Sequence, residues 1–108
     1  MGFNISRPLY PSPTWYRGAV VAGQVLAVTT TLVKTFSTFN TLTEQVAFDV
    51  QAQNVYVTVD GTTPSSTNGH ILYAGSAFTW SKAGAQQAKF LCTTTAGDAQ
   101  IYASEWTN

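Results

Sequence analysis

Runs of alternating apolar and polar residues, separated by turn-forming residues, fill the sequence from Gly18 onward. The valines at positions 55, 57 and 59 alternate with other residues, and AQIYASEW near the end shows the same period of two. Turn signals recur at short intervals, as Asp60-Gly61, Asn68-Gly69, Gly75-Ser76, Lys82-Ala83-Gly84 and Ala96-Gly97-Asp98. Because short strands with such spacing form antiparallel sheets, we predict an all-β sandwich that is jelly-roll-like or immunoglobulin-like.

The predicted strands begin with AVVAGQVLAVTTTLVKTF, which we interpret as one or two strands broken near Gly23. They continue with TEQVAFDVQA, NVYVTVD, HILYAG, AFTWS, AKFLCTT and AQIYASEW. The segment from Ala83 to Phe90 favours helix by composition, but so short a helix is unstable unless it is packed. We therefore expect a loop that enters the next strand at Lys89.

Residues 1–17 differ from the rest of the chain, because three prolines fall within six positions and oppose both helix and central-strand pairing. The segment is also rich in large apolar side chains, which disordered tails rarely carry. We predict an extended N-terminal arm at 1–17 and a sandwich domain at 18–108. The arm either folds over its own domain or contacts a neighbouring subunit, and its candidate interface residues are Phe3, Tyr10, Trp15 and Tyr16.

Charged residues are scarce, at 9% of the chain, with five basic and five acidic residues and no net charge. Nucleic-acid and anionic-membrane binding both need clustered Lys and Arg, so we expect neither partner. Seventeen threonines supply much of the polar surface instead. Such a surface is either covered by partners in use or simply hydroxyl-rich and solvated.

Groups capable of catalysis or metal binding are few. His70 is the single histidine and Cys92 the single cysteine, so a catalytic triad would need His70 with Asp60, Asp49 or Asp98. Cys92 lies in a predicted strand, where we expect a small buried side chain. One His and one Cys cannot complete a structural zinc site. We therefore predict no enzyme activity, no metal, no cofactor and no small-molecule substrate.

The loop after NVYVTVD is predicted to be a turn. The Asp60 carboxylate can accept a backbone N–H from Thr62 or Thr63, and Asn68-Gly69 can supply positive φ angles that return the chain. We predict that the tip of this loop contacts a neighbouring subunit. Its candidate interface residues are Thr62, Pro64 and Asn68.

The aromatic residues offer an alternative function, because sugar-binding sandwiches stack aromatic faces against sugar rings. Tyr73 and Trp80 are the candidate glycan platform, with Tyr102 and Trp106 as further possibilities. Aromatic residues also fill cores and subunit interfaces, which is the alternative interpretation of the same residues.

The order of motifs over residues 55–105 resembles small virion proteins of tailed bacteriophages. A strand ending in a D-G-T-x-P turn at Asp60 to Pro64 is followed by a G-H-x-L strand at Gly69 to Leu72 that ends in Ala74-Gly75. A lysine-phenylalanine strand at Lys89-Phe90 and a final alternating strand complete the pattern. The resemblance covers about half of the chain.

This resemblance implies an accessory structural protein, and we expect a capsid decoration or cement protein. Its expected partners are the major capsid protein and copies of itself, with a homotrimer favoured by analogy. The protein would be made in the host cytoplasm and would reside on the capsid surface of the virion. The alternatives are a carbohydrate- or receptor-binding module of a virion and a head-tail adaptor or neck subunit.

Overall fold

Two antiparallel sheets face each other across a shared core in the computed structural model, which describes residues 19–107. The elements are β1 (Val20–Val28), β2 (Gln45–Gln51), β3 (Val55–Thr58), β4 (His70–Leu72), β5 (Ala77–Ser81), α1 (Lys82–Gln87), β6 (Lys89–Cys92) and β7 (Ala99–Trp106). The larger sheet has the order β1-β7-β2-β5, and the smaller sheet has the order β4-β3-β6. The prediction of an all-β antiparallel sandwich is confirmed.

Alternating side chains of both sheets build the core. In β2, Val46, Phe48 and Val50 are buried, and in β7, Ala99, Ile101 and Ala103 are buried. The smaller sheet contributes further buried residues, namely Val55, Val57, Leu72, Phe90 and Cys92. The predicted period of two therefore holds, except that Val59 lies beyond the end of β3 and is exposed.

The long connection between β1 and β2 covers one edge of the smaller sheet. Lys34 forms an isolated antiparallel bridge with Phe90, and the two residues exchange backbone hydrogen bonds of 2.8 and 2.9 Å. The connection then directs Phe36 and Phe39 into the core, where the Phe36 ring meets the Phe90 ring edge-on at 5.3 Å. Of the one or two strands expected in this part of the chain, one forms, β1, and the single bridge at Lys34 follows it.

The sequence predicts a break near Gly23, but β1 continues through this residue. Gly23 pairs with Ser104 within a continuous register, and the irregularity falls earlier, between Val20 and Ala22. A Cβ at Gly23 would lie 3.3 Å from the carbonyl oxygen of Ala103. The glycine therefore permits a close backbone approach inside the strand rather than a turn.

The expected loop from Ala83 to Phe90 is wrong in its first part, because a short helix, α1, occupies it. Ser81 caps this helix by accepting the Gly84 N–H at 3.2 Å. Ala85 and Ala88 are fully buried against the core, which supplies the packing that so short a helix requires. The predicted entry into β6 at Lys89 is confirmed.

One buried carboxylate links the β1–β2 connection to the larger sheet. Glu105 is only 3% exposed. Its Oε1 accepts the Asn40 N–H and the Thr43 hydroxyl, both at 2.8 Å, and its Oε2 accepts the Gln24 amide at 3.2 Å. Burial raises the pKa of this carboxyl, but the hydrogen bonds from Asn40, Thr43 and Gln24 outweigh burial and hold the pKa below its usual 4.5.

The lowered pKa of Glu105 predicts a pH-dependent contribution to stability. The contribution is complete above the unfolded-state pKa of 4.5 and is lost as the pH falls through the lower folded-state pKa. We expect Glu105→Gln to lower the free energy of unfolding at pH 7 by about 2 kcal/mol, because the amide cannot accept all three donors. Urea unfolding between pH 3 and 7 should show a weaker acid dependence for this variant than for the wild type. The exposed Glu44→Gln is the control, and identical pH slopes for wild type and Glu105→Gln would contradict the assignment.

Candidate docking site on the smaller sheet

A row of three apolar side chains crosses the outer face of the smaller sheet. Tyr56 pairs with Ile71 on one side and with Leu91 on the other, so the three residues lie side by side. The neighbouring residues Val55 and Val57 are buried in the core, which turns Tyr56 outward. Ile71 is 44% exposed, and Tyr56 and Leu91 are partly exposed. We call these three residues the apolar row.

The loop between β3 and β4, residues 59–69, lies beside the apolar row, where β3 ends and β4 begins, and is held by its own side chains. The Asp60 carboxylate accepts both the backbone N–H and the hydroxyl of Thr62, as the predicted turn requires. These hydrogen bonds from Thr62, the side-chain bond first, lower the pKa of Asp60 from its usual value. The Asn68 amide then donates to the Thr62 hydroxyl at 2.9 Å and to the Thr63 carbonyl at 2.8 Å.

Two further contacts attach this loop to the sheet below. The Thr58 hydroxyl at the end of β3 donates to the Thr62 carbonyl at 2.6 Å. The Lys89 ammonium at the start of β6 donates to the Gly61 carbonyl at 2.9 Å. Since Thr58 and Lys89 are also cross-strand partners, the loop and the apolar row form one continuous surface.

The structure separates the three predicted interface residues of this loop. Thr62 and Asn68 are exposed at the surface. Pro64, in contrast, is fully buried, so its side chain packs within the domain and is removed from the candidate surface. Gly69 has a φ of 114°, whereas Asn68 does not take the positive φ that was expected for it.

The structure places His70 near Asp60 and places Cys92 apart from them, on the core side of β6. His70 and Asp60 line one shallow depression of about 260 Å³, where the Asp60 carboxylate is engaged by Thr62. Cys92 is buried on the core side of β6, and its thiol donates to the carbonyls of Thr94 and Gly97. Among residues 19–107, no group of three or more His, Cys, Asp or Glu side chains is placed to hold a metal ion.

A second surface feature is a groove of about 560 Å³ on the outer face of the larger sheet. Its floor consists of the small side chains of β2, β5 and β7, including Ala47, Ala77 and Ser104. Tyr102 and Asp49 are direct cross-strand neighbours and rise at one side of this floor. The groove thus combines an exposed ring, a carboxylate and hydroxyl groups.

The two residues of the predicted glycan platform lie in different settings. Trp80 faces inward and meets the Phe48 ring edge-on at 4.9 Å, so it is packed against the core. Tyr73 is 60% exposed in the turn after β4. Trp106 donates its indole N–H to the Ser104 hydroxyl at 2.8 Å. Of the four aromatic candidates, Tyr73 and Tyr102 are the two with exposed side chains.

The arm candidates Phe3, Tyr10, Trp15 and Tyr16 lie outside the described residues. Sequence reasoning missed the apolar row, although one signal for it was present. Tyr56 has the opposite phase to Val55 and Val57, which places an aromatic ring on the outer face. The positions of Ile71 and Leu91 beside it depend on the strand order, which the sequence pattern does not contain.

The turn at Gly69 should be sensitive to a single methyl group. A Cβ at Gly69 would lie 2.5 Å from the Val57 carbonyl oxygen, whereas a Cβ at Gly61, which also has a positive φ of 86°, would meet nothing within 4 Å. We expect Gly61→Ala to cost about 1 kcal/mol for its backbone conformation and Gly69→Ala to cost about 2 to 4 kcal/mol. Equal losses in chemical denaturation would contradict the close approach of Gly69 to β3.

Comparisons with known proteins identify no family for this chain. No protein-family model matches the sequence, and no curated protein matches it. Among solved structures, the chain is similar to one described as "Bacillus endospore appendages form a novel family of disulfide-linked pili", with 10% sequence identity and a TM-score of 0.42. The similarity covers 90% of this chain and 94% of that chain. At this level of similarity, neither family membership nor function transfers to the present protein.

Proposed function

We propose that this protein is a structural component of a tailed-phage particle, a cement protein that binds the head shell through the apolar row. The observation that carries the proposal is the row itself, in which Ile71, Tyr56 and Leu91 stand together on an outer sheet face. No other described segment among residues 19–107 pairs with the outer edge of β4, where Ile71 lies. The motif resemblance over residues 55–105 is the reason that we propose a phage head shell as the partner.

The apolar row has the composition of an interface centre, and its surroundings have the composition of an interface rim. Protein interfaces combine a desolvated centre, enriched in aromatic residues, with a polar periphery. Tyr56 occupies the centre of the row, while Thr62 and Asn68 in the neighbouring loop present hydroxyl and amide groups. Because Asp60 and Thr58 already brace the loop, it can contact a partner with little additional loss of conformational entropy.

The scarcity of charge suits a protein that binds in many copies on a symmetric shell. Each contact contributes modestly, but contacts repeated by symmetry and by linked subunits raise the effective affinity without new interactions. A neutral surface also lacks the repulsion that would oppose close packing of neighbouring copies. Scarce charge and repeated weak contacts would also suit a subunit of a neck ring. Images of purified particles would distinguish a position on the head shell from a position in the neck.

Capsid binding should depend on the smaller sheet and not on the larger one. We expect Ile71→Arg to reduce binding to purified shells at least tenfold, because it places a charge in the apolar row. Val25→Arg is the matched control, since Val25 is also an exposed β-branched residue but lies on the larger sheet, 57% exposed against 44% for Ile71. Co-sedimentation with shells measures both variants.

Two outcomes would contradict this proposal. Loss of shell binding in Val25→Arg with normal binding in Ile71→Arg would assign docking to the larger sheet. Absence of shell binding by the wild-type protein, together with its detection in the neck of imaged particles, would favour the adaptor alternative. Circular dichroism and thermal unfolding show whether each of the two variants is folded.

A second candidate function, glycan binding, is favoured by the groove on the larger sheet. The exposed Tyr102 ring stands beside the Asp49 carboxylate, which can accept hydrogen bonds from sugar hydroxyls. The Asp49 Oδ2 already accepts the Gln51 amide at 2.7 Å, so the carboxylate is held in place. Such a groove would serve a virion module that contacts host surface sugars.

Glycan binding, if present, should require the groove and not the turn after β4. We expect Tyr102→Ala to abolish signals on a glycan array, because it removes the stacking surface. Tyr73→Ala is the matched control and should retain them. A wild-type protein that gives no signal on the array would remove this candidate function.

A further inference from the structure

Strand β5 ends the larger sheet with an edge that lacks the usual protection against strand addition. Its sequence, AFTWS at Ala77–Ser81, contains no charged residue and no proline. Within residues 19–107, β5 pairs only with β2. Natural sheets normally protect exposed edges with lysine, proline, bulges or a covering segment. This edge therefore fits an incoming strand.

The register fixes which backbone groups of β5 are directed toward that edge. The Lys82 N–H donates to the Glu44 carbonyl at 2.9 Å, and the Val50 N–H donates to the Ser76 carbonyl at 3.1 Å. In an antiparallel ladder, hydrogen-bonded pairs recur at every second residue. The even-numbered residues of β5 therefore bond to β2, and the odd-numbered residues Ala77, Thr79 and Ser81 direct their N–H and C=O groups away from it.

The side chains of β5 follow the same alternation. Ala77 and Thr79 are exposed on the outer face of the sheet. Phe78 and Trp80 face inward and pack on Phe48, with ring centroids 5.4 and 4.9 Å away. Both of these rings remain only partly buried. A strand added at this edge would cover their remaining exposed surface.

We propose that residues 9–16 of a second copy of this chain pair with β5 as an antiparallel edge strand. The segment reads LYPSPTWY, and its prolines at 11 and 13 have the same parity. An edge strand needs backbone donors only at every second residue, so residues 10, 12, 14 and 16 can donate to β5. The prolines then fall where no donor is needed.

The side-chain parity of this segment matches that of β5. In an antiparallel pair, directly opposed residues place their side chains on the same face of the sheet. Tyr10, Ser12, Thr14 and Tyr16 would therefore lie beside Ala77 and Thr79 on the outer face, where their hydroxyls reach water. Leu9, Pro11, Pro13 and Trp15 would lie on the inner face and cover Phe78 and Trp80.

The pairing strand comes from another copy, because the three residues between residue 16 and Ala19 are too short to let the chain's own arm reach the free edge of β5. Ala19 lies at the β1 edge, in the row next to Val20, Trp106, Gln45 and Ser81. A strand beyond β5 lies four strand spacings from β1, or about 19 Å. If the arm runs antiparallel to β5, residue 16 would also lie about four residues from Ala19 along the strand direction. The resulting gap of roughly 23 Å exceeds the ~11 Å that three residues can span.

Exchange of arms in this manner is a head-to-tail contact, which closes into a ring when the rotation between copies allows it. The inference goes beyond the proposed function, because it names a contact between copies of this chain and does not depend on shell binding. Its test therefore measures assembly of the full-length protein alone, without shells.

Proline substitutions on each side of the proposed pair test it directly. Ser12→Pro removes an arm donor, and Thr79→Pro removes the central β5 donor among those that face away from β2. We expect each variant to raise the dissociation constant of the oligomer at least about tenfold in analytical ultracentrifugation, because each loses hydrogen bonds. Ser12→Ala and Thr79→Ala keep both N–H groups and should assemble like the wild type.

A mixture of the two proline variants gives the sharper result. The Thr79→Pro copy keeps an intact arm, and the Ser12→Pro copy keeps an intact β5 edge, so one junction can form between them. We expect a heterodimer from variants that are monomeric alone, detected by native mass spectrometry. Far-ultraviolet circular dichroism confirms folding, and Ser12→Pro leaves the described domain unchanged in sequence.

A wild-type protein that stays monomeric at all concentrations would overturn the inference. So would full assembly of Ser12→Pro, or a mixture in which both variants remain monomers while the wild type assembles. Ile71→Arg separates this inference from the proposed function, because it should assemble normally while losing shell binding. Assembly of the wild type through its arm without any shell binding would leave the inference intact and refute the cement function.

Discussion

The Glu105 carboxylate is the constraint on which much of the sandwich depends. A buried ionised group is costly unless its hydrogen-bonding capacity is filled, and here three neutral donors fill it. Two of the donors, Asn40 and Thr43, belong to the connection between β1 and β2, while Gln24 belongs to β1 itself. The carboxylate thus joins β7, β1 and the connection that carries Phe36 and Phe39 into the core. Any shift of one of these parts would leave the charge unsatisfied.

Much of the fold could be predicted from the sequence because its strands alternate and its turns carry glycine. The failures have physical causes that a local pattern does not contain. Gly23 resembles a turn residue, but tertiary contact with the Ala103 backbone makes it a strand residue. The helix α1 exists because Ser81 caps it and the core receives Ala85. The inward direction of Glu105, in contrast, is contained in the pattern, because Glu105 has the same phase as Ile101 and Ala103.

The candidate docking site was harder to predict than the fold, because it depends on strand neighbours far apart in sequence. The loop chemistry of Asp60 and Thr62 follows from local preferences and was predicted correctly. The apolar row requires Tyr56 to lie between β4 and β6, and strand order follows from the global packing of both sheets. Pro64 shows the same limit, because a proline in a polar loop gives no local sign that it is buried.

The same physical property, the scarcity of charge, underlies both proposed contacts. Lysine and glutamate are the residues that usually prevent unwanted association at sheet faces and edges. Without them on the apolar row or on β5, specificity must come from shape and backbone geometry. In the proposed pairing, Pro11 and Pro13 would leave two positions on the far side of the arm without a backbone donor, which would oppose the addition of a further strand. A neutral protein can then form a closed assembly through an open edge without aggregating through it.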